Sequence, residues 1–478
     1  MYDFCNNCIR TPIVSRRQFL ARVGMGFGAL GLASILQTDK ALGVDLDAAA
    51  GVLAPKIPPL PAKAKRVIQV FAAGAPSQVD TWDPKPALAK YDGQSIVGGK
   101  GGGVAMASPF KFARHGVSGI EVSEVFPHLA QHVDEMAVIR SMFTDVPAHE
   151  IAVTFMNTGS RTIDKPSVGA WTLYGLGTEN QNMPGFISLH TGGGLPTGGT
   201  KNWGAAFLPG IYQAASINTS AGTVDKMIEN IRSSYVSQSE QRRQLDLIHQ
   251  LNELHAQDLQ KDAQLEARIE AYEIAFRMQT AASDAFDISK EPEAMHDLYG
   301  RTAQGRQMLI ARRLLESGVR YVQAWTGEGW DHHQDIATRL PRAAMEIDQP
   351  LAALMTDLKQ RGMLDSTLIV FGGEFGRTPT RQGGNVDKPG RDHNSKGFTV
   401  WMAGGGVKGG TVYGATDETG AEAVDHPVHI HDLHATILRL IGFDHSSLAY
   451  RYNGRDFHLT DVAGSSVDSV SVVKGVIA

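Results

Sequence analysis

Four polar clusters in the sequence contain residue types that bind metal ions and transfer protons. The first includes Asp80 and follows an apolar run at 66–71, and the second is the segment EGWDHH at 328–333. The third is GGEFGR at 372–377, and the fourth is GRDH at 390–393. The clusters offer carboxylate oxygens and imidazole nitrogens without sulfur, a ligand set that suits zinc, manganese, magnesium or calcium.

Six residues of these clusters are the predicted metal ligands: Asp80, Asp331, His333, Glu374, Asp392 and His393. Such groups could hold one divalent ion, or two ions about 4 Å apart that clamp the attacking and leaving oxygens of an in-line displacement. Simpler interpretations exist for each cluster. The histidines at 332–333 could lie in an exposed turn, Glu374 could pair with Arg377, and 392–393 could belong to a solvated loop.

Two arginines lie within these clusters, and a group of histidines follows them in the sequence. Arg377 and Arg391 are predicted to neutralise negative charge that develops on an anionic substrate. Further along the chain, four histidines crowd the start of a predicted helix: His426, His429, His431 and His434. These could contact carbonyl groups or water at the helix start, or one of them could be a metal ligand.

The elements that must position these residues alternate between strand and helix. Apolar runs predict strands at Arg66–Phe71, 136–139, 319–325, 367–371 and Phe398–Ala403. Helices are predicted at 149–157, 167–174, 303–317 and 432–441, and at 336–361 with interruptions at Pro341 and Pro350. The alternation predicts an α/β fold with a doubly wound, mostly parallel sheet and helices on both faces. In such sheets functional groups gather beyond the carboxyl ends of the strands.

The amino-terminal region predicts export. Arg16 and Arg17 precede an apolar run at 23–36 that is too short to span a membrane, which is typical of a twin-arginine signal peptide over residues 1–43. The predicted location is periplasmic or extracellular, and the predicted partner is the twin-arginine export machinery. The two cysteines, Cys5 and Cys8, lie in this signal, so no disulfide is expected in the mature chain.

The rest of the chain is divided into a linker at 44–65 and one domain at 66–478, with a helical insertion at about 222–300. Of the 478 residues, 42% are hydrophobic and 20% are charged, which is typical of a globular protein. The net charge of −5 gives no broad basic surface, so nucleic acid is not an expected partner.

Six segments together resemble a known group of proteins. They are GAPSQVDTWDPKP at 74–86, PSVGAWTLYGLG at 166–177, GWDHH at 329–333, GGEFGRTP at 372–379, GRDH at 390–393 and HIHDLHATIL at 429–438. This combination resembles domain-of-unknown-function family 1501, a large bacterial family that is often labelled sulfatase and belongs to the alkaline-phosphatase-like superfamily. The resemblance implies a doubly wound sheet with metal ligands at its carboxyl edge. It also implies a hydrolase of sulfate or phosphate esters.

The resemblance also suggests roles for individual residues. Glu374 and the following Phe-Gly look like the Asp-His-Gly metal motif of sulfatases, and Asp331, His333 and His393 resemble metal ligands of the superfamily. Sulfatases carry Cys-x-Pro-Ser-Arg ahead of a Thr-Gly pair. The same distance before the Thr-Gly pair at 158–159, this sequence has His149 instead of a cysteine or serine.

His149 is therefore the predicted catalytic residue, as a base or a nucleophile, although it could also be a ligand or a structural residue. The leading prediction is an ester hydrolase that lacks the usual Cys or Ser nucleophile, with a small anionic ester or a sulfated polysaccharide as substrate. The alternative is a catalytically inactive binding protein for sulfated glycans or for an exported partner. A partner of an electron-transfer complex is a third hypothesis, which no haem or flavin motif supports.

Overall fold

The computed structural model describes most of the predicted domain. The described residues are 52–96, 102–192, 194–221, 227, 235–258, 276–277, 284–327, 329–382, 387–462 and 465–478. The predicted twin-arginine signal, both cysteines, Glu328 and much of the predicted insertion lie outside these residues. In this described part of the chain, no helix is both long enough and apolar enough to cross a membrane.

A central sheet of nine strands runs through the described residues. In chain order the strands are β1 (Arg66–Phe71), β2 (Met136–Phe143), β3 (Phe186–His190), β4 (Ala215–Asn218), β5 (Tyr321–Trp325), β6 (Thr367–Gly372), β7 (Phe398–Ala403), β8 (Thr411–Tyr413) and β9 (Val428–His429). The spatial order is β8–β2–β7–β6–β1–β5–β3–β4, and β9 also pairs with β2. Only β7 runs antiparallel to its neighbours, β6 and β2. The prediction of a mostly parallel sheet is confirmed.

Helices cover both faces of this sheet. The α-helices are α1 (Gln78–Thr81), α2 (Pro86–Tyr91), α3 (His149–Thr158), α4 (Val168–Leu176), α5 (Gln238–Asp258), α6 (Glu293–Tyr299), α7 (Ala303–Glu316), α8 (Ile336–Gln360) and α9 (Ile430–Leu440). Side chains of β1 alternate between two cores, with Ile68 and Val70 packed among residues of α7 and α8. Val67 and Phe71 pack instead among residues of α3, α4 and α9. The predicted α/β fold with helices on both faces is therefore confirmed.

Short elements surround the sheet. Paired short strands are Ser95–Ile96 with Gly103–Val104, Phe112–His115 with Ile120–Ser123, Gly376–Arg381 with Arg391–Asn394, Ala415–Thr416 with Ala423–Asp425, and Tyr450–Tyr452 with Arg455–Phe457. Short 3₁₀ helices are Leu129–Glu135, Gly199–Trp203, Gly210–Tyr212, Ile288–Lys290, Leu364–Ser366 and Lys474–Val476. The third of these strand pairs contains four of the residues singled out by sequence: Arg377, Arg391, Asp392 and His393.

Helix α8 continues through both of its prolines, so the predicted interruptions at Pro341 and Pro350 are wrong. A proline inside a helix removes one hydrogen bond and costs about 3 kcal/mol. Burial of one large apolar side chain contributes about 1.5–3 kcal/mol. The apolar face of α8 buries several such side chains completely: Ile347, Leu351, Leu354, Met355 and Leu358. This packing outweighs the two lost hydrogen bonds.

Part of the predicted linker, residues 52–65, lies against the domain. Leu53 and Ala64 are fully buried. The backbone N–H of Lys56 donates to the Leu176 carbonyl at 2.8 Å, and the N–H of Lys63 donates to the Leu440 carbonyl at 2.8 Å. These contacts tie the segment to the ends of α4 and α9. The domain limits otherwise stay a prediction.

Candidate metal centre

Four side chains from three separate parts of the chain meet at one place. His149, Asp331, His333 and His393 each provide one donor atom, and these atoms all lie within 4.8 Å of one another. Asp331 Oδ1 is at the centre, 3.3 Å from His149 Nε2, 2.9 Å from His333 Nε2 and 3.5 Å from His393 Nε2. We refer to these four residues as the metal-centre group.

Three different elements position the four members of the group. His149 is the first residue of α3, Asp331 and His333 follow β5, and His393 lies in the short strand Arg391–Asn394. Because β5 is parallel to β1 and lies beside it, the loops after both strands meet at the carboxyl edge of the sheet. The sequence clusters thus converge through the topology of the sheet.

Two glycines allow the loops to come this close. A Cβ atom at Gly74 would lie 2.7 Å from the backbone nitrogen of Asp331, and Gly74 has a φ of 106° that disfavours other residues. A Cβ atom at Gly390 would lie 2.2 Å from the carbonyl carbon of His333. Any larger residue at either position would push the Asp331–His333 loop away from its neighbours.

The Nδ1 atom of each histidine in the group faces an oxygen acceptor. The acceptors are Glu374 Oε1 for His149 at 2.5 Å, the Pro147 carbonyl for His393 at 2.8 Å, and Gln382 Oε1 for His333. An oxygen acceptor favours the tautomer in which Nδ1 carries the proton and donates it. The Nε2 lone pairs of the three rings are then directed towards Asp331, as in metal sites whose histidines are oriented by a second acceptor.

The residues present fit a divalent metal ion. The Nε2 atoms of His149 and His393 are buried and have no hydrogen-bond partner within the described ranges. A buried polar atom without a partner is costly, and a metal ion would satisfy both atoms at once. Three imidazoles and one carboxylate are a common ligand set for zinc, and imidazole also suits other transition metals. The Asp331 side chain is 40% exposed, so the group is open to solvent on one side.

Burial and nearby charges shift the pKa values of the group in opposite directions. Burial lowers the pKa of His149, but the adjacent carboxylates of Asp331 and Glu374 outweigh burial and raise the pKa to about 9. Burial also raises the pKa of Asp331, but the His149, His393 and Arg377 side chains hold it well below its usual range. A proton on His149 therefore compensates the carboxylates when no cation does so.

Glu374 is adjacent to the group and supports it from behind. Its side chain is fully buried after β6, where it accepts the Gly74 N–H at 3.0 Å and faces His149 Nδ1. The carboxylate is thus in contact with a ligand candidate and outside the converging set of donors. This carboxylate–histidine arrangement orients the ring and increases its basicity.

Arg377 also lies behind the group. Its guanidinium is fully buried and donates to Asp331 Oδ1, to the carbonyls of Gly74 and Ala75, and to the Arg391 carbonyl. Burial lowers the pKa of Arg377, against the raising effect of Asp331. Since most of its donors are engaged by the protein, Arg377 fixes Asp331 and the loop after β1.

Asp80 and Arg391 are brought together with each other and not with the metal-centre group. Arg391 donates from Nε to Asp80 Oδ2 at 2.6 Å and from Nη2 to Asp80 Oδ1 at 3.0 Å. Asp80 Oδ2 also accepts the Ser77 hydroxyl at 2.5 Å, and both charged side chains are fully buried. Both oxygens of Asp80 are therefore occupied, and this pair anchors α1 to the strand that carries His393.

Asp392 and His332 occupy the margin of the site. Asp392 Oδ1 accepts the N–H of His393 at 2.8 Å and lies 4.0 Å from His333 Nδ1. His332 lies between the two ligand candidates in sequence, but it is fully buried and not part of the converging set. Burial lowers the pKa of His332 to about 4, so its ring is neutral.

Sequence reasoning missed two acceptors that orient the site, Gln382 and the carbonyl of Pro147. Gln382 follows the strand Gly376–Arg381, and nothing in its sequence context separates it from other exposed polar residues. A backbone carbonyl leaves no mark in the side-chain pattern. His149 was found only through the resemblance, since its neighbours at 148 and 150 carry no metal-binding spacing.

Comparison with known protein families assigns most of the chain to one family. A model of the family described as "Protein of unknown function (DUF1501)" matches residues 64–471. No curated protein sequence matches the chain significantly.

Solved structures show distant likenesses. Ps i-CgsB is 13% identical, covering 79% of this chain and 72% of that one, with a TM-score of 0.35. The alkaline phosphatase from the Antarctic bacterium TAB5 is 10% identical, covering 73% of this chain and 94% of that one, with a TM-score of 0.32. A protein in the alkaline phosphatase superfamily from Vibrio parahaemolyticus is 12% identical, covering 90% of this chain and 77% of that one, with a TM-score of 0.35. At these TM-scores the likenesses carry no argument of their own.

Proposed function

The chain belongs to the DUF1501 family of proteins of unknown function, and we propose that it is an exported, metal-dependent hydrolase of sulfate or phosphate esters. One observation carries the proposal: three imidazole Nε2 atoms and one carboxylate oxygen converge within 4.8 Å at a site that is open to solvent. The resemblance noted from the sequence, which includes the Asp331–His333 and His393 motifs, supports ester hydrolysis as the chemistry.

In this proposal the residues of the site would have three roles: binding the metal ion, orienting its ligands and supporting the strand that carries His393. The metal-centre group would hold one divalent ion, which when bound would polarise an ester oxygen and offset its negative charge. Glu374 would orient His149, and Arg377 would orient Asp331 and add positive charge behind it. In this proposal Asp80 and Arg391 form a buried structural pair that fixes the strand carrying His393.

This geometry changes the role proposed for His149. One ring nitrogen faces Glu374 and the other faces Asp331, so in the proposed site His149 is a metal ligand and not a covalent nucleophile. Asp392 is at the margin, with a side chain that is 37% exposed, and we retain it as a candidate second ligand or proton acceptor at the open side.

The test combines metal analysis with activity assays on the purified full chain. We expect about one bound divalent ion and turnover of an aryl sulfate, a phosphomonoester or a phosphodiester that chelation abolishes. His333→Ala should lose both metal and turnover, whereas His426→Ala, at an exposed histidine elsewhere, should keep both. A metal-loaded protein that turns over none of the three substrate classes would contradict the proposal.

A catalytically inactive binding protein is the second candidate. It is favoured by the position of His149, because the first residue of α3 is where the resemblance places a Cys or Ser nucleophile. This candidate predicts retention of the metal-loaded chain on a sulfated glycan without release of sulfate. Measuring sulfate release and retention in the same experiment separates the two functions.

A further inference from the structure

A cavity lies near the opposite end of α3 from His149. It has a volume of about 110 Å³ and is lined mainly by the loop after α3 and by Arg455 and Phe457 of the short strand Arg455–Phe457. A single buried water needs only about 10–15 Å³, so the cavity can take a group of several atoms. His149 and Gly159 are ten residues apart on one helix, which separates the two sites by roughly 15 Å. No member of the metal-centre group lines this cavity.

Three cationic side chains line the cavity, and each is held in place. The Arg161 guanidinium lies 5.7 Å from the centroid of the Phe155 ring, and the Arg455 guanidinium lies 4.8 Å from that of Phe457. The Lys165 side chain is only 7% exposed. Packing of a guanidinium on an aromatic ring restrains its orientation while its N–H groups remain able to bind an oxyanion.

Two carboxylates face these three cations. Arg161 is 3.7 Å from Asp145, and Arg455 is 3.6 Å from Asp461, distances beyond a normal hydrogen bond. Lys165 Nζ is 3.3 Å from the same Asp461 oxygen. These three cations and two carboxylates together carry one more positive than negative charge. Burial, together with the nearby Arg455 charge, lowers the pKa of Lys165 against the raising effect of Asp461.

The two carboxylates are also engaged by other donors. Asp145 accepts the Ser465 hydroxyl at 3.0 Å and the Ser466 N–H at 3.1 Å. Asp461 accepts the His458 N–H at 3.3 Å. Because these contacts satisfy part of the carboxylates' bonding capacity, they leave the cationic side chains with donors for an additional partner.

A buried histidine adds a polar group to the cavity wall. His431 lines the cavity and is 1% exposed, and its Nδ1 atom has no hydrogen-bond partner among the residues that the structure describes. Burial is the main reason that its pKa is lowered, to about 2, so the ring is neutral. A neutral imidazole can donate one N–H to an anion without adding a charge that must be compensated when the cavity is empty of ligand.

We propose that this cavity binds a sulfate or phosphate group, either as a free anion or as part of a larger ester. Two guanidinium groups and a buried ammonium supply the charge and the directional donors that a tetrahedral oxyanion requires. The site is separate from the metal-centre group, and the proposal does not depend on hydrolysis.

The experiment is calorimetric titration of the full chain with inorganic sulfate and, separately, inorganic phosphate. Arg455→Ala is the test variant, and Arg451→Ala is the matched control, because both arginines lie in the same strand pair and are 58% and 70% exposed. Loss of one charge-assisted contact should weaken binding about ten-fold or more in Arg455→Ala. Arg451→Ala should bind like wild type, and Arg455→Lys should retain most of the affinity.

A His333→Ala background separates this cavity from the metal centre. Binding that persists there and is lost on adding Arg455→Ala supports the cavity as the site. The proposal is overturned if wild type binds neither anion, if Arg455→Ala binds like wild type, or if His333→Ala alone removes all binding. A sulfated monosaccharide titrated in parallel distinguishes the two sources, since tighter binding than inorganic sulfate indicates an ester ligand and weaker binding indicates a free anion.

Discussion

Two regions of this protein each bring three histidines near an aspartate, yet in the described residues only one of them has converging donor atoms that could hold a metal ion. The first is the metal-centre group. The second, which we call the α9 histidines, consists of His429, His431 and His434, with Asp145 3.5 Å from His429 Nε2. Residue types are the same in both regions. The direction of the ring nitrogens and the degree of burial distinguish them.

The α9 histidines serve the start of a helix and the core. His429 caps α9 by accepting the His431 N–H at Nδ1, while Asp432 accepts the N–H of His429 at 2.9 Å. His434 Nε2 donates to the Met156 carbonyl at 2.8 Å. The rings of His429 and His431 pack together with centroids 5.1 Å apart. His429 Nδ1 and His434 Nε2 are thus used by a helix cap and a backbone carbonyl, and no converging set of donors forms among the described residues of this region.

The comparison teaches that donor atoms converge on one point when they come from segments that are distant in the sequence and meet in the fold. The α9 histidines lie within one short segment, and their rings pack against one another while two of their nitrogens serve a helix cap and a backbone carbonyl. The metal-centre group is assembled from three segments at the carboxyl edge of the sheet, and each ring has its own acceptor at Nδ1. A sequence motif rich in histidine is thus weaker support for a metal site than separate histidines placed by topology.

The largest expected effect is from removing a ligand. His333→Ala deletes one of four donors at a side chain that is 32% exposed, so the fold should survive. We expect the metal affinity to fall by more than about 100-fold, since even changes to outer partners of metal ligands cost 10- to 100-fold. Metal analysis after dialysis measures the loss. His434→Gln, a change among the α9 histidines, should leave the metal content of the protein unchanged. A His333→Ala protein with full metal content would contradict the placement of the metal site at the metal-centre group.

A smaller effect is expected from the acceptor behind His149. Glu374→Gln keeps the shape of the side chain but removes the charge that orients the ring and increases its basicity. We expect metal affinity to fall about 10- to 100-fold in a chelator competition titration. Glu422→Gln is the control, because Glu422 is 48% exposed and pairs only with Lys396 among the salt bridges of the described residues. Equal affinities in the two variants would show that Glu374 does not support a ligand.

The pH dependence of metal binding should show the proton on His149. The pKa of this ring in the metal-free protein is about 9, because Asp331 and Glu374 outweigh the lowering effect of burial. Below this pH a metal ion must displace the proton, so affinity should rise about ten-fold per pH unit between pH 7 and 9 and then level off. Calorimetry in two buffers of different ionisation enthalpy should detect about one proton released per metal ion bound at pH 7. A metal affinity that does not change between pH 7 and 9 would contradict this prediction.

The smallest effect on the metal is expected in the α9 region. His434→Ala removes a buried ring and its hydrogen bond to the Met156 carbonyl, which should lower the free energy of unfolding by about 2–4 kcal/mol. Metal content should not change. Urea denaturation and metal analysis of the same sample measure the two quantities. Loss of metal without loss of stability would show that the α9 histidines bind the metal and would contradict their structural role.

Much of the fold followed from the sequence because strand periodicity is local. The strand at Arg66–Phe71 and the one at Phe398–Ala403 have the predicted limits, and the helix at His149–Thr158 is one residue longer than predicted. Helix α8 departs from prediction because the burial of its apolar face, a tertiary effect, outweighs the local effect of two prolines. Local patterns give the elements, and packing decides whether a breaker residue ends one.

The site was less predictable because partner choice is not local. Asp80 follows β1 as a ligand of this fold would, but its partner Arg391 is 311 residues away in the sequence. Glu374 has the position of a ligand after β6 and instead faces His149, which lies 225 residues earlier. The structure brings Asp331, His333 and His393 together, as expected from clusters that lie next to predicted strands at one edge of the sheet. Which carboxylates join the converging donors and which face a histidine or an arginine depends on the three-dimensional packing of distant segments.

The most direct test is a crystal structure of the metal-loaded chain, with anomalous scattering recorded on both sides of the absorption edge of the bound metal. The account predicts one anomalous peak within about 2.0–2.2 Å of His149 Nε2, His333 Nε2, His393 Nε2 and Asp331 Oδ1. No peak is expected at the α9 histidines. A metal ion found there, or a loaded crystal with no peak among the four donor atoms, would contradict the central claim.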